Sequence, residues 1–402
     1  MLEPVRIILF TGKGGVGKTT VAAATALHAA ANGARTLVLS TDPAHSLADV
    51  FDAELDTRPR ELAPRLWGQQ LDAQERMEES WGEIRDYLVE VFDWAGVNSI
   101  EAEELAVFPG LDEIFALSDI RRFARSDRWD VILVDCAPTA ETIRFLSLPD
   151  ILSWYMDRVF PVSRKVNRVV GPVLSKVTSL PVASDNVFSA TRRFYEQLDG
   201  VKELLADNRR STVRLVVNPE RMVIAEARRT YTYLSLFGYR VDAVIANRLL
   251  PDVVADPWFD RWKQLHAEHL RTIEEAFAPV PVLRAELASD ELVGFDALAD
   301  FASKLFGDLD PAAVLYDDEP MSLDRGPDEF VLTVHLPFAD HDDLEVGRCR
   351  DELFVRVGPY RRALLLPDSI RHRPVTSAAL RDGRLRVTFA DAGGATKRAA
   401  RR

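Results

Sequence analysis

Short apolar runs alternate with helix-forming stretches along the N-terminal part of the chain. The runs at 5–10, 35–40, 130–135, 212–217 and 241–246 are short and mainly apolar, which is typical of buried parallel strands. An alanine-rich stretch between the first two runs favours a helix. Strands that alternate with helices predict an α/β fold with a doubly wound, mostly parallel sheet.

Two long stretches interrupt this alternation. Apolar residues recur at helical spacing within residues 74–125, and residues 151–205 again have helical character. Both stretches are too long to be loops. We therefore expect helical insertions in an N-terminal α/β domain that covers residues 1–310.

The pattern changes after this domain. Residues 311–326 are acidic and contain prolines, which is typical of a linker. In residues 327–390, apolar and polar positions alternate at short spacing, so we predict a small all-β sandwich. Residues 391–402 are rich in glycine, alanine and basic residues, and we expect a disordered basic tail.

Composition narrows the classes of function. The 402 residues include 63 acidic and 50 basic side chains, and the net charge of −13 disfavours a general binder of nucleic acid or anionic membranes. Cys136 and Cys349 lie far apart and form no CxxC pair, so no zinc is expected. No apolar run approaches the ~18 residues of a membrane span. The first residues do not fit a secretory signal either, so we expect a cytoplasmic protein.

A phosphate-binding loop lies between the first predicted strand and the first predicted helix. Residues 12–20 read GKGGVGKTT and fit the pattern G-x-x-x-x-G-K-[ST]. Its glycines let backbone N–H groups surround phosphate oxygens, Lys18 should reach the β- and γ-phosphates, and the Thr19 hydroxyl should ligate Mg²⁺. ATP and Mg²⁺ are therefore the expected cofactors. The predicted nucleotide contacts of this loop are Gly12, Lys13, Gly14, Gly15, Val16, Gly17, Lys18, Thr19 and Thr20.

A second lysine, Lys13, directly follows the first glycine of the loop. The segment KGGVGKT resembles the deviant Walker A signature of a group of P-loop ATPases. This group includes partitioning and septum-positioning ATPases, nitrogenase iron protein, and the arsenite-pump and tail-anchor-targeting ATPases. In these families the signature lysine reaches the nucleotide of the partner subunit, so the resemblance implies a homodimer with a catalytic Lys13. A solvated lysine is the alternative.

Residues 40–46, Ser-Thr-Asp-Pro-Ala-His-Ser, closely resemble the switch I motif of the arsenite-pump (ArsA) and tail-anchor-targeting ATPases. By this resemblance Asp42 polarises the attacking water and lies at the Mg²⁺ site. A carboxylate at the carboxyl end of a strand can face the γ-phosphate. Asp42 followed by Pro43 also fits the start of a helix, and both roles can hold together.

Asp135 ends the third predicted strand, and an aspartate after four apolar residues is a Walker B arrangement, placed to bind Mg²⁺ or its waters. Residues 135–144 resemble the family pattern DTAPTGHTLR, but Cys136 and the pair Ala140-Glu141 depart from it, so the family's histidine is missing. Cys136 is expected to be a small buried side chain, because no adjacent base activates its thiol.

Two further segments follow the fourth and fifth predicted strands. Asn218-Pro219-Glu220 and Asn247 match the adenine-contacting segments of the same family. An asparagine amide can pair with the donor and acceptor edge of adenine, which favours ATP over GTP.

Client-binding features are implied by resemblance only. Residues 151–179 carry one apolar stripe at helical spacing. In the tail-anchor-targeting ATPases helices of this region line a hydrophobic client groove, but packed core or a dimer interface would give the same stripe. Residues 328–337 and 379–387 resemble the α-crystallin domain of small heat-shock proteins, which implies a client- or partner-binding module. A β-sandwich that merely packs on the ATPase is the alternative.

These resemblances predict a Mg²⁺-dependent ATPase of the ArsA and tail-anchor-targeting family. Its homodimer would open and close during hydrolysis and act on a hydrophobic client or a membrane-protein partner, without nucleic acid. A partitioning or positioning ATPase is one alternative, disfavoured by the net charge and by the lack of a basic amphipathic C-terminal helix. A chaperone-like dimer that nucleotide locks, with little turnover, is the other.

Overall fold

The computed structural model describes residues 4–41, 46–70, 85–87, 89, 111–137, 187, 189–192, 196, 200–327 and 329–390. Several predicted features lie outside these residues. They are Asp42, residues 138–144, the apolar stripe at 151–179, most of both predicted helical insertions, and the tail at 391–402.

Eight strands form the main sheet. They are β1 (Arg6–Thr11), β2 (Thr36–Ser40), β3 (Arg60–Ala63), β4 (Leu66–Gln70), β5 (Val131–Asp135), β6 (Ser211–Val217), β7 (Val241–Leu249) and β8 (Val282–Glu286). Their order is β3-β4-β2-β5-β1-β6-β7-β8, and every neighbouring pair is parallel except β3 and β4. The predicted doubly wound, mostly parallel sheet is confirmed.

The position of a strand in the sheet explains whether it could be predicted from the sequence. The central strands β2, β5 and β6 are buried along their whole length, so they read as continuous apolar runs. Strands β3, β4 and β8 were not predicted. These strands lie toward the sheet edges, and β3 and β8 are partly exposed, so polar residues interrupt their apolar pattern.

Seven α-helices are described. They are α1 (Lys18–Ala31), α2 (Ser46–Phe51), α3 (Leu111–Ala124), α4 (Val201–Ala206), α5 (Arg221–Leu236), α6 (Asp260–Phe277) and α7 (Phe295–Phe306). We predicted that residues 74–125 form an insertion, but α3 buries Phe115, Leu117 and Ile120 in the main core and leads directly into β5. It therefore belongs to the helix layer of the sheet. Within the described part of the chain, no helix combines the length and apolar character that a bilayer crossing requires.

The C-terminal domain is all-β, as predicted. Its strands are β9 (Met321–Arg325), β10 (Glu329–His335), β11 (Leu344–Cys349), β12 (Glu352–Val357), β13 (Tyr360–Leu365), β14 (Val375–Arg381) and β15 (Arg384–Ala390). They form two antiparallel sheets, β14-β15-β10-β9 and β11-β12-β13, around a second apolar core. Strand β9 lies within residues 311–326, so only the first part of the predicted linker connects the two domains.

Helix α5 joins the two domains. Leu236, at its end, is buried in the core of the β domain. The ring of Tyr233 lies 4.3 Å from the ring of Tyr360, and the buried Arg362 donates from Nη1 to the Leu236 carbonyl oxygen at 2.6 Å. The β domain therefore packs directly on the helix that follows β6.

Candidate nucleotide-binding site

The predicted site residues meet at one edge of the main sheet. In the strand register, Phe10 of β1 and Ser40 of β2 each lie opposite Asp135 of β5, and Val217 of β6 lies opposite Ala246 of β7. Parallel strands end at the same edge of a sheet. The segments that follow β1, β2, β5, β6 and β7 therefore all begin at this edge. This edge of an open α/β sheet, where connections diverge to opposite sides, is where such folds bind ligands.

The phosphate-binding loop connects β1 to α1 at this edge. A side chain at Gly12 would overlap the carbonyl oxygen of Val216, and one at Gly17 would lie 2.5 Å from Asn247 Nδ2. Both glycines have positive φ angles, 155° and 93°, which other residues rarely adopt. Side chains at Gly14 and Gly15, in contrast, would meet nothing within 4 Å. The loop is therefore packed tightly at its two ends and open in its middle, where phosphate oxygens would bind.

Lysine and hydroxyl residues lie within the loop and at the start of α1. Lys18 begins α1 and is only 6% exposed, while Lys13, Thr19 and Thr20 are half-buried. The N-terminal end of a helix favours negative charge, so α1 adds to the attraction of these residues for phosphate. The loop and the first turn of α1 thus combine positive charge, hydroxyl groups and a helix N-terminus, which together suit phosphate.

Asp135 ends β5 beneath the loop. It is completely buried, and the Ser40 hydroxyl lies 3.4 Å from its Oδ2. Burial and the negative charge of Asp135 raise the pKa of the Cys136 thiol, while the charge of Lys18 opposes this shift. The prediction that Cys136 is a buried, unactivated side chain is confirmed.

Thr41, next to the predicted catalytic Asp42, has a structural role that the sequence did not predict. Its backbone N–H donates to the Asp135 carbonyl oxygen at 3.0 Å, and its hydroxyl accepts from the Ala137 N–H at 3.1 Å. Thr41 therefore links the chain entering the 40–46 segment to the chain that leaves β5. In the sequence, this role could have been inferred from the position of a hydroxyl residue directly before the predicted catalytic carboxylate.

Oxygen ligands suit Mg²⁺, and Thr19 and Asp135 supply them at this edge. Within the described ranges, no group of three or more His, Cys, Asp or Glu side chains comes together. A site with one protein carboxylate and one hydroxyl fits Mg²⁺, which keeps several waters and binds phosphate oxygens.

The two asparagines differ in their surroundings. Asn247 Nδ2 donates to the Val16 carbonyl oxygen at 2.8 Å, and its Oδ1 accepts from the Arg248 N–H at 2.9 Å, so this side chain holds the phosphate-binding loop. Asn218 is 7% exposed, and within the described part of the chain its Oδ1 has no hydrogen-bond partner. A buried acceptor without a donor costs about 1–3 kcal/mol, so Asn218 is prepared for a donor that the protein does not supply. Pro219 and Glu220 lead from it into α5.

Comparison with known proteins agrees with this geometry. The family model described as anion-transporting ATPase, the ArsA ATPase, matches residues 5–307, and that of the HSP20-like domain found in ArsA matches residues 327–389. A protein of Prosthecochloris vibrioformis is 38% identical over 388 residues, and one of Chlorobaculum tepidum is 37% identical over 388 residues; each alignment covers 96% of both chains. An Aquifex aeolicus protein is 35% identical over 378 residues, which cover 92% of this chain and 96% of that protein. All three carry the provisional name arsenical pump-driving ATPase.

The family matches extend over both domains, and the phosphate-binding loop and Asp135 at the end of β5 lie within the first of them. The chain therefore belongs to the ArsA family of anion-transporting ATPases, as an ATP-hydrolysing enzyme that ends in an HSP20-like domain.

Proposed function

We propose that this ATPase binds Mg²⁺-ATP at the carboxyl edge of the main sheet and works as a homodimer. Hydrolysis would open and close the dimer and thereby act on a hydrophobic client or a membrane-protein partner. The open middle of the phosphate-binding loop, between two tightly packed glycine positions, is the observation that carries the proposal.

The phosphate end of the site uses the loop. Backbone N–H groups near Gly14 and Gly15 bind the phosphate oxygens, and the buried Lys18 neutralises the β- and γ-phosphates. Thr19 and Asp135 would hold Mg²⁺, which offsets phosphate charge when it is bound.

Two further residues, Asp42 and Lys13, have catalytic roles in this proposal. Asp42 orients the attacking water and accepts its proton. Lys13 of each subunit reaches the nucleotide of the other, so that turnover depends on closure of the dimer. Both roles rest on the family resemblance of the segments that contain these residues, and the bonds of Thr41 to the end of β5 support the placement of the Asp42 segment.

The base end of the site uses the asparagines. The Oδ1 atom of Asn218 can accept from the exocyclic amine of adenine. Guanine carries a carbonyl oxygen at the equivalent position, so two acceptors would face each other. Asn247, which we also expect near the base, keeps the loop in place through Val16. This arrangement favours ATP over GTP.

Phosphate release from Mg²⁺-ATP tests the catalytic roles. Lys18→Ala and Asp42→Asn should each abolish turnover, and Asp42→Asn should retain nucleotide binding, since the phosphate cradle stays intact. Lys304→Ala on α7 is the control, because Lys304 is exposed and pairs with Asp300 on its own helix. Unchanged turnover in Lys18→Ala or Asp42→Asn contradicts the proposal, and tight ATP binding without turnover in the wild type favours the nucleotide-locked dimer.

A further inference from the structure

Helix α5 connects the nucleotide edge of the main sheet to the β domain. It begins at Arg221, directly after the segment Asn218-Pro219-Glu220, and ends at Leu236. A helix of 16 residues is about 24 Å long, at about 1.5 Å per residue. One continuous element therefore has its first end at the expected base site and its other end at the second domain.

The first end of α5 is bound to Asn218. The Glu220 N–H donates to the Asn218 carbonyl oxygen at 2.7 Å, and the Ile224 N–H donates to that of Glu220 at 2.9 Å. Pro219 lies between them, and its ring restricts the backbone. The Asn218 side chain is 7% exposed, and among the described residues its Oδ1 has no donor. A ligand that donates to this oxygen would therefore also order the residues from which α5 begins.

The other end of α5 is part of the β domain. Leu236 is completely buried in the apolar core of that domain. The rings of Tyr233 and Tyr360 lie 4.3 Å apart and pack against the cores of both domains. Arg362 Nη1 donates to the Leu236 carbonyl oxygen at 2.6 Å. The core of the β domain is thus complete only while the end of α5 is docked.

Further contacts lie along the second half of α5. The ring of Tyr231 lies 5.7 Å from that of His335 on β10, and the guanidinium carbon of Arg228 lies 5.5 Å from the ring of Phe338. The contacts with the β domain therefore extend over residues 228–236, which is more than two helical turns. A change in the order or position of α5 would alter all of them together.

We propose that binding of the nucleotide base at Asn218 and docking of the β domain on α5 stabilise each other. This inference rests on the base site of the proposed function. A ligand that orders one end of α5 reduces the freedom that is still to be lost when the other end docks. Coupling between two sites is reciprocal, so the β domain raises the affinity for ATP by the same factor by which ATP favours its docking.

Hydrogen exchange of the full-length protein tests this coupling without any substitution. Exchange is measured with Mg²⁺ and a saturating concentration of either a non-hydrolysable ATP analogue or inorganic tripolyphosphate. The analogue should slow exchange in β12 and β13 at least about fivefold, the lower end of typical couplings between sites. Tripolyphosphate carries no base and should leave this exchange unchanged. An absent effect of the analogue, or equal slowing by tripolyphosphate, would overturn the proposal.

Isothermal titration calorimetry measures the coupling in the opposite direction. Tyr360→Ala removes the ring that packs on Tyr233. It should weaken binding of the ATP analogue at least about fivefold and leave that of tripolyphosphate unchanged. The control is Phe354→Ala, because Phe354 packs against Arg361 and belongs to neither apolar core. Wild-type affinity for the analogue in Tyr360→Ala contradicts the coupling.

Asn218→Ala separates this proposal from the base site on which it rests. The variant should bind the ATP analogue more weakly, and at saturation the analogue should no longer slow exchange in the β domain. Unchanged affinity in Asn218→Ala would mean that the base binds elsewhere, so the base site and the coupling would both be wrong. Weaker binding in Asn218→Ala, together with a wild-type β domain that does not respond to the analogue, would refute the coupling alone.

Discussion

A buried carboxylate at the edge of the sheet opposite the nucleotide site, Asp242, should be essential for stability. It is completely buried at the start of β7. Its Oδ2 lies 3.0 Å from Arg6 Nη2, and its Oδ1 lies 3.4 Å from Arg214 Nε, while Arg214 is itself completely buried. One carboxylate therefore faces two buried guanidinium groups.

The same arginines hold the chain that leads to the β domain. Arg214 donates to the carbonyl oxygens of Pro311 and Ala313 at 2.8 and 3.1 Å, and Arg6 Nε donates to that of Ala312 at 2.9 Å. Burial lowers the pKa of Arg6 to about 10, and the charge of Asp242 opposes this shift. Asp242 thus pairs with both guanidinium groups and holds them in position to bind this segment.

Asp242→Asn preserves the shape of the side chain but removes its charge. Breaking a buried ion pair from one side typically costs about 3–5 kcal/mol, because the remaining charge stays buried without a counter-ion. We expect a loss of about 4 kcal/mol in the free energy of unfolding. The matched control is Asp300→Asn, which removes an exposed pair with Lys304 on one helix and should cost no more than about 0.5 kcal/mol.

Urea denaturation monitored by tryptophan fluorescence measures this loss in the intact chain. All seven tryptophans precede residue 310, so the signal reports the α/β domain. The reasoning is refuted if Asp242→Asn costs no more than Asp300→Asn. The double variant Asp242→Leu with Arg214→Met should recover part of the loss, because it removes one of the two buried cations together with the anion.

Three other predictions concern the β domain and the thiols. Burial lowers the pKa of His335, so its neutral form stabilises the fold; this contribution is complete above the ordinary value of 6.5 and is lost as the pH falls through the lower folded value. Thermal melts should therefore show less stability in acid than at neutral pH, and His335→Gln should flatten this dependence; a pH profile unchanged by the variant would contradict it. Arg362→Ala removes the buried donor to the Leu236 carbonyl oxygen. In limited proteolysis, the β domain of this variant should be cleaved at lower protease concentrations than in the wild type. The control, Arg361→Ala at an exposed neighbouring position, should not change the digest. Arsenite should stimulate phosphate release little or not at all. Cys136 is buried and Cys349 is exposed on the other domain, so the chain offers too few thiolates for a three-coordinate arsenic site. Stimulation by arsenite that persists in Cys349→Ser would mean that other residues bind the metalloid.

The sequence by itself determined the elements whose signal is local. The phosphate-binding loop, the buried runs that became β2, β5 and β6, and the alternation of the C-terminal strands all follow from residues close together in the chain. The two-residue turn between β14 and β15 has an equally local cause, because Asp382 and Gly383 both take the positive φ angles that this turn needs. Local backbone preference and the burial of apolar faces explain why the predicted strands were confirmed.

Edge strands and buried polar residues were decided by tertiary structure. β8 pairs with β7 although its own pattern includes Arg284, because the neighbouring strand supplies the hydrogen bonds. Arg214 sits in the middle of a strand that reads as apolar, and its burial is possible only because Asp242 and the carbonyl oxygens of the 311–313 segment meet it.

From their positions in the sequence, Asn218 and Asn247 have the same expected role, as contacts of the adenine base. In the folded chain Asn247 is bound to the backbone of the phosphate-binding loop, whereas Asn218 Oδ1 is buried without a donor. The difference depends on which groups 200 or more positions away come within hydrogen-bonding distance, as Val16 does for Asn247 at a separation of 231 residues. Residue type and spacing specify what a side chain can bind, but only the packing of distant segments decides which partner it meets.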